Sequence, residues 1–219
     1  MNEDEEGPGG RHRMNAMDYF SFFNLPRKLT LDVVALEKQF YVLSRKLHPD
    51  RFAAKPVEEQ EAALVQSSLL NDAYRTLRQP ILRTQYLLTL EGVELEEQSK
   101  AATDAARASG EQKKQIVPPE LLEEVFELNM QLQEMRAAKQ MGEDEPELRR
   151  DLMTAKDGFD AKMVETQEEL EGLWAVWDAG VDAGDEAAKA RAKDAMVVLL
   201  NKRSYLRNLV RDVNEALGL

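Results

Sequence analysis

Residues 30–56 read TLDVVALEKQFYVLSRKLHPDRFAAKP and decide the fold of the first half of the chain. Apolar side chains recur here at steps of three and four, which is the spacing of one buried stripe on an α-helix. They are Val33, Leu36, Phe40, Leu43 and Leu47. We predict that the helix begins at an N-cap on Thr30. It should end near His48, because Pro49 lacks an N–H and disfavours helical geometry in the residue before it.

A second helical pattern runs from about Glu58 to Leu77. Its predicted inward face consists of Ala62, Val65, Leu69, Ala73 and Leu77. Because a short segment separates the two helices, we predict an antiparallel hairpin with the tripeptide His48-Pro49-Asp50 at its tip. Average residue usage gives such a tripeptide by chance to roughly one in a hundred chains of this length. Its position at the tip therefore carries more information than its composition.

The first arm of this hairpin carries positive charge on a face separate from the apolar stripe. Lys38, Tyr41 and Arg45 are three and four residues apart, with Lys46 beside them. Residues 27–55 hold seven basic and three acidic side chains, whereas the whole chain has a formal net charge of −12. A basic patch can indicate nucleic-acid binding, but phosphate would repel so acidic a chain and no base-reading motif accompanies the patch. An acidic protein partner fits better, and a merely solvated helix face is the alternative.

The hairpin and its flanking segments resemble the J domain of DnaJ-type co-chaperones over about Met17 to Leu90. Five segments indicate one family among the J-domain proteins. They are Asp18-Tyr19-Phe20, Leu25-Pro26, Arg51-Phe52, Asn71-Asp72-Ala73-Tyr74 and Tyr86-Leu87-Leu88. They are similar to those of the HscB family, the J-type co-chaperones of iron–sulfur cluster biogenesis, and a weaker similarity extends to the end of the chain. J domains commonly carry an aromatic residue before the triplet, where this chain has Leu47.

The resemblance implies that the chain couples two partners and is not itself an enzyme. The basic helix would dock on a DnaK/HscA-type ATPase chaperone, and the loop His48-Pro49-Asp50 would trigger ATP hydrolysis there. The implied docking residues are Lys38, Tyr41, Arg45, Lys46 and Arg51. Two alternatives stay open, namely a J-domain co-chaperone for a different client protein, and an enzyme in which His48 is a general base oriented by Asp50.

The second half of the chain is predicted to form an antiparallel three-helix bundle, so that the fold class is all-α throughout. The chain has few Pro, Gly and aromatic residues and many Ala, Leu, Glu and Lys, which favours helices. The predicted helices cover residues 119–140, 146–177 and 185–217, and their short connections are typical of a bundle. The predicted organisation is a disordered leader (1–16), a J domain (17–92), a linker (93–117) and a C-terminal client-binding domain (118–219).

The first helix of the bundle has more apolar surface than one buried stripe needs. Leu122, Phe126 and Met130 form a second apolar line about 100° round the helix from the core line. This line belongs either to a wide buried arc or to an exposed docking patch. The HscB resemblance favours the patch and implies that it contacts an IscU-type iron–sulfur scaffold protein. The implied client-binding residues are Leu122, Phe126, Glu127, Met130 and Tyr205.

The chain contains no cysteine and only two histidines. It therefore cannot supply thiolates to an iron–sulfur cluster or a zinc site, and we expect it to carry the cluster-bearing protein and to need no cofactor. No apolar run is long enough to span a bilayer. The first sixteen residues lack a signal-peptide core and are too acidic for a mitochondrial transit peptide. We therefore expect a cytoplasmic, bacterial protein, with Met14 or Met17 as alternative first residues.

Overall fold

The computed structural model describes residues 18–93 and 117–219. Of these residues, 83% are helical and none forms a strand, so the predicted all-α fold class is confirmed. The described residues divide into two compact units, of which the first holds residues 18–27 and 31–82 and the second holds residues 28–30, 83–93 and 117–219. The predicted leader lies outside the described residues, as does all but the ends of the predicted linker. The predicted domain limits therefore stay predictions.

The first unit is built on the predicted helical hairpin. Its helices are α1 (Tyr19–Phe22), α2 (Val33–Leu47) and α3 (Val57–Arg78), followed by α4 (Pro80–Leu90), whose later residues belong to the second unit. A short 3₁₀ helix, Pro49–Phe52, connects α2 to α3 at the tip. Helix α3 packs against both α1 and α2, and the buried side chains of this unit include Phe20, Phe23, Leu36, Leu70, Ala73 and Leu77.

Helix α2 begins later than predicted and ends where predicted. Its N-cap is Asp32, whose side chain accepts a hydrogen bond of 2.9 Å from the Ala35 N–H. The predicted N-cap, Thr30, is wrong because its N–H donates to the Asp178 carboxylate at 2.9 Å and the chain there is not yet helical. His48 is the C-cap with extended backbone geometry, as expected for a residue before proline.

The buried face of α3 matches the prediction only in the second half of the helix. Ala73 and Leu77 are buried as predicted, but Ala62 and Val65 are exposed and Ala63 is buried instead. Moving the buried position by one residue rotates the inward face by about 100°. The face is therefore set by the helices packed against α3, which the spacing of apolar residues within α3 does not specify.

The second unit contains the predicted three-helix bundle. After a 3₁₀ turn at Pro119–Leu121 come α5 (Leu122–Met141), α6 (Pro146–Ala183) and α7 (Glu186–Leu217). A glycine in the left-handed region ends each of these helices, Gly142 after α5, Gly184 after α6 and Gly218 after α7, as is common at C-termini. Helix α6 continues past its predicted end at Trp177, because the sequence between Trp177 and Gly184 contains no helix-breaking proline.

All three helices share a core only at one end of the long α6–α7 pair, where residues 148–159 of α6 and 205–217 of α7 meet α5. At the other end of the pair, the later part of α4 and residues 28–30 pack within the same unit. There the two carboxylate oxygens of Asp178 accept hydrogen bonds from the Leu29 and Thr30 N–H groups at 2.8 and 2.9 Å. The Arg83 guanidinium lies 5.0 Å from the centre of the Trp174 ring, a cation–π distance.

Candidate functional site

The tripeptide His48-Pro49-Asp50 is held in a defined loop and is open to solvent. Pro49 begins the 3₁₀ helix, a position where its missing N–H leaves no bond unmade. The Nδ1 atom of His48 accepts a hydrogen bond from the main-chain N–H of Asp50 at 3.3 Å and lies 3.4 Å from the Asp50 carboxylate. The side chains of His48 and Asp50 are 54% and 89% exposed.

The predicted docking face of α2 is also open to solvent. Lys38, Tyr41, Arg45 and Lys46 are all exposed. Among the described residues, no carboxylate lies within ion-pairing distance of Lys38, Arg45 or Lys46. Arg51 has a different position, because its guanidinium donates to the main-chain carbonyl of Arg45 at 3.4 Å and thereby satisfies an acceptor at the end of α2. The face therefore presents unpaired cations beside the tripeptide.

Two apolar residues of this face were not assigned from the sequence. Val34 and Val42 are 61% and 52% exposed. They lie four residues before Lys38 and four after it, so that all three share one side of α2. Their spacing from Lys38 could have identified them, but the sequence analysis considered only the charged and aromatic residues of this face. Within the predicted buried stripe, the side chain of Val33 is also exposed, at 41%, whereas that of Leu36 is only 2% exposed.

The geometry does not favour the enzyme alternative for His48. A general base acts in a pocket that holds the substrate and limits water. His48 and Asp50 are instead more than half exposed, and no group of three or more acidic or histidine side chains within residues 18–93 and 117–219 could hold a metal ion. The arrangement leaves a histidine and a carboxylate open to solvent.

In the second unit, the second apolar line of α5 is exposed. Leu122, Phe126 and Met130 are 55%, 68% and 58% exposed, and Glu127 beside them is exposed as well. The side chains of the core line of the same helix are only 1–7% exposed. They are Leu121, Val125, Leu128, Leu132 and Met135. The buried-arc alternative is therefore wrong for these three residues, which we call the α5 apolar patch.

Tyr205 does not belong to the α5 apolar patch. It is only 6% exposed and lies in the core shared by the three helices. Burial, together with the nearby Asp212 carboxylate, raises the pKa of its hydroxyl above the ordinary value. Because α7 packs against both α5 and α6, it buries a wide arc that includes the adjacent residues Tyr205 and Leu206. The predicted exposure of Tyr205 is thus corrected.

No protein-family model matches the chain, but solved structures match it over nearly its full length. The chaperone HscB from Vibrio cholerae has 25% sequence identity and a TM-score of 0.57, and the alignment covers 91% of this chain and 96% of that one. This match supports an HscB-type co-chaperone. Human co-chaperone HscB has the same fold, with 22% identity, a TM-score of 0.58 and coverage of 98% and 96%.

The predicted family resemblance is thereby confirmed, and a co-chaperone role for this HscB-type chain is supported. The match spans both the tripeptide His48-Pro49-Asp50 and the α5 apolar patch. Among the helices of the described residues, none combines the length and the apolar character needed to cross a bilayer. The cytoplasmic location and the bacterial origin stay predictions.

Proposed function

We propose that this HscB-type chain stimulates the ATPase of a DnaK/HscA-type chaperone and delivers an IscU-type iron–sulfur scaffold protein to it. The observation that carries the proposal is the tripeptide His48-Pro49-Asp50, ordered by its own hydrogen bond and exposed beside unpaired cations of α2. Neither half of the proposal requires chemistry on a small molecule. The chain acts by bringing two proteins together.

On the chaperone side, α2 provides the positive charge of the contact, and the ordered loop at the tip of the hairpin provides His48. Exposed cations steer association with an acidic surface and fix the orientation of the complex. Val34, Val42 and Tyr41 add apolar area to the same side of the helix, which strengthens a contact that charge alone would leave weak and salt-sensitive. Docking through α2 brings the exposed imidazole of His48 against the ATPase, where it can favour the hydrolysis-competent conformation.

On the client side, the α5 apolar patch provides the contact. Phe126 is the largest of its side chains and is 68% exposed, and an aromatic residue at the centre of an apolar group is typical of a binding hot spot. The absence of cysteine means that the iron–sulfur cluster would stay on the thiolates of the scaffold. The scaffold with its cluster is therefore the cargo.

Joining the two sites in one chain increases the effective concentration of the client at the chaperone. Hydrolysis triggered through His48 then occurs when the client is in place. This coupling explains why a protein without a catalytic pocket at its tripeptide can still control a reaction. The reaction itself belongs to the chaperone.

The trigger is tested by single-turnover ATP hydrolysis of a purified DnaK/HscA-type chaperone, with and without the scaffold protein. We expect the wild-type chain to accelerate hydrolysis, and His48→Gln to abolish the acceleration while the helical circular dichroism is unchanged. The matched control is His12→Gln, the other histidine of the chain, which should behave as wild type. Stimulation retained by His48→Gln would contradict the role of the tripeptide.

Client binding is tested with the double variant Leu122→Ala and Phe126→Ala. We expect its affinity for the scaffold to fall by about 30-fold or more, as for two hot-spot residues, with stimulation of the ATPase in the absence of scaffold unchanged. The exposed valines Val164 and Val198, replaced by alanine, are the controls. A wild-type chain that stimulates the chaperone but does not bind the scaffold would favour a different client protein.

A further inference from the structure

A cleft of about 460 Å³ lies between α5 and α6. Its floor includes Leu128 and Phe159, which are 1% and 2% exposed. The carboxylates of Glu124, Glu127 and Asp151 line its sides. A volume of this size lies within the roughly 300–1,000 Å³ of pockets that hold a ligand. The cleft thus combines an apolar floor with an acidic rim.

Some of the acceptor groups that line the cleft have no donor within the described residues. Among the described residues, Glu124 pairs with Lys162 at 3.1 Å, whereas neither Glu127 nor Asp151 has an ion pair. The side-chain carbonyl oxygen of Gln131 is buried and accepts no hydrogen bond from the described part of the chain. The three carboxylates are not arranged so that they could bind one metal ion together. Unmet acceptors of this kind fit a positively charged group that donates several hydrogen bonds.

The cleft is open because α6 has no side chain at Gly158, which lines it. A Cβ atom placed at Gly158 would meet no other heavy atom within 4 Å. Glycine inside a helix is less stable than alanine, so a larger residue at this position would be compatible with the helix. Such a residue would, however, fill the space above the floor of the cleft.

We propose that a lysine or arginine side chain of the bound client enters this cleft. The proposal rests on the proposed function, because the client is the protein bound at the α5 apolar patch. Glu127 connects the two surfaces on one helix, since it follows Phe126 directly, precedes Met130 by three residues and precedes Gln131 by four. A client that covers the patch therefore also reaches the rim of the cleft.

The chemistry of the cleft suits both ends of such a side chain. The methylene stem packs on the apolar floor formed by Leu128 and Phe159, as long basic side chains commonly do. The charged head donates to the carboxylates of Glu127 and Asp151, in hydrogen bonds strengthened by charge. Specificity arises because an acidic or short side chain leaves these acceptors unpaired.

The test is calorimetric titration of the full chain with the IscU-type scaffold at low and at physiological salt. The first variant combines Glu127→Gln with Asp151→Asn, which removes the charge and keeps the shape. The second is Gly158→Leu, which fills the cleft and keeps the charge. We expect each to weaken binding by about tenfold or more, and the first also to reduce the dependence of affinity on salt.

The matched control is Gly172→Leu, since Gly172 is a second glycine of α6 with open space around it and lies outside the cleft. It should bind the scaffold as wild type does. If both cleft variants bind as wild type while the variant of Leu122 and Phe126 loses binding, the cleft is empty in the complex and only this proposal is overturned. If the wild-type chain does not bind the scaffold, the client half of the proposed function is overturned with it.

Discussion

Phe40 of α2 and Tyr74 of α3 stack with their ring centres 4.2 Å apart and their planes inclined by 17°. The Tyr74 hydroxyl donates a hydrogen bond of 3.3 Å to the Glu37 carboxylate. The Arg78 guanidinium lies 5.3 Å from the centre of the same ring. This stack joins the two arms of the hairpin below the tip, so that the tripeptide is held on a paired rather than a splayed helix end.

The Phe40–Tyr74 stack should contribute measurably to stability. In a double-mutant cycle with Phe40→Leu and Tyr74→Leu, we expect a coupling of about 1 kcal/mol in the free energy of unfolding, the usual value for an aromatic pair beyond its buried area. Urea unfolding followed by circular dichroism measures it. The control is Val65→Ala, a side chain of α3 that is 67% exposed and should change stability by no more than about 0.5 kcal/mol. A Tyr74→Leu cost equal to that of Val65→Ala would contradict the assignment.

Asp18 caps α1 and should make stability depend on acid pH. Burial by itself would raise the pKa of its carboxyl, but hydrogen bonds from the Ser21 N–H and the Arg27 guanidinium outweigh burial and hold the pKa below the ordinary value of 3.8. A carboxyl with a lowered folded pKa stabilises the fold fully above its unfolded pKa. That stabilisation is lost as the pH falls through the folded value.

Replacing Asp18 by alanine should therefore cost about 0.5–2 kcal/mol near neutral pH, and less as the pH falls below about 4. Asp18→Asn is the control, because asparagine still caps the helix but has no charge to pair with Arg27. Urea unfolding of the three proteins at neutral and at acid pH provides the measurement. A cost of Asp18→Ala that is the same at every pH would show that the carboxylate charge contributes nothing.

Two glycines of α6 should respond oppositely to the same substitution. At Gly172 a Cβ atom meets open space, so Gly172→Ala should stabilise by about 0.5–1 kcal/mol through helix propensity. At Gly180 a Cβ atom would lie 2.9 Å from Cγ of Lys189 and 3.3 Å from the Asp185 carbonyl oxygen. Gly180→Ala should therefore destabilise by about 1–3 kcal/mol, as overpacking does. Thermal unfolding compares the two, and a rise in Tm for both would show that α7 can move away.

Charge reversal on α2 should slow association with the chaperone. For Lys38→Glu combined with Arg45→Glu, we expect the association rate to fall by about tenfold or more at low salt, with a smaller difference at high salt. Surface plasmon resonance at several salt concentrations measures the rates. Lys139→Glu, an exposed lysine of the second unit, should leave them unchanged. An equal reduction at all salt concentrations would indicate a local contact in place of electrostatic steering.

Most of the secondary structure could be predicted from residues that act on their immediate neighbours. Pro49 ends α2 at His48, and Gly142 and Gly184 end α5 and α6 in left-handed geometry. The position of the tripeptide at a hairpin tip followed from the same signals. These effects operate within a few residues along the chain. The spacing of the apolar residues, together with the proline and glycines that end the helices, was therefore sufficient to predict the helices.

The burial of particular faces was decided by what lies opposite them. Tyr205 and Ala63 became buried, and Val65 exposed, because neighbouring helices cover one arc and not the next. Helix α2 is capped by Asp32 and not by Thr30, whose N–H bonds to Asp178, a residue distant in sequence.

The sequence by itself therefore determined the helices, the position of His48-Pro49-Asp50 in the loop between two of them, and the chain's inability to offer thiolates to a cluster. Only the tertiary structure decided that Leu122, Phe126 and Met130 are exposed while Tyr205 is not. It alone also placed Glu127 beside Asp151 and Gly158 in one cleft. The physical reason is that helix formation depends on local backbone and side-chain preferences, whereas exposure depends on which surfaces of distant segments meet.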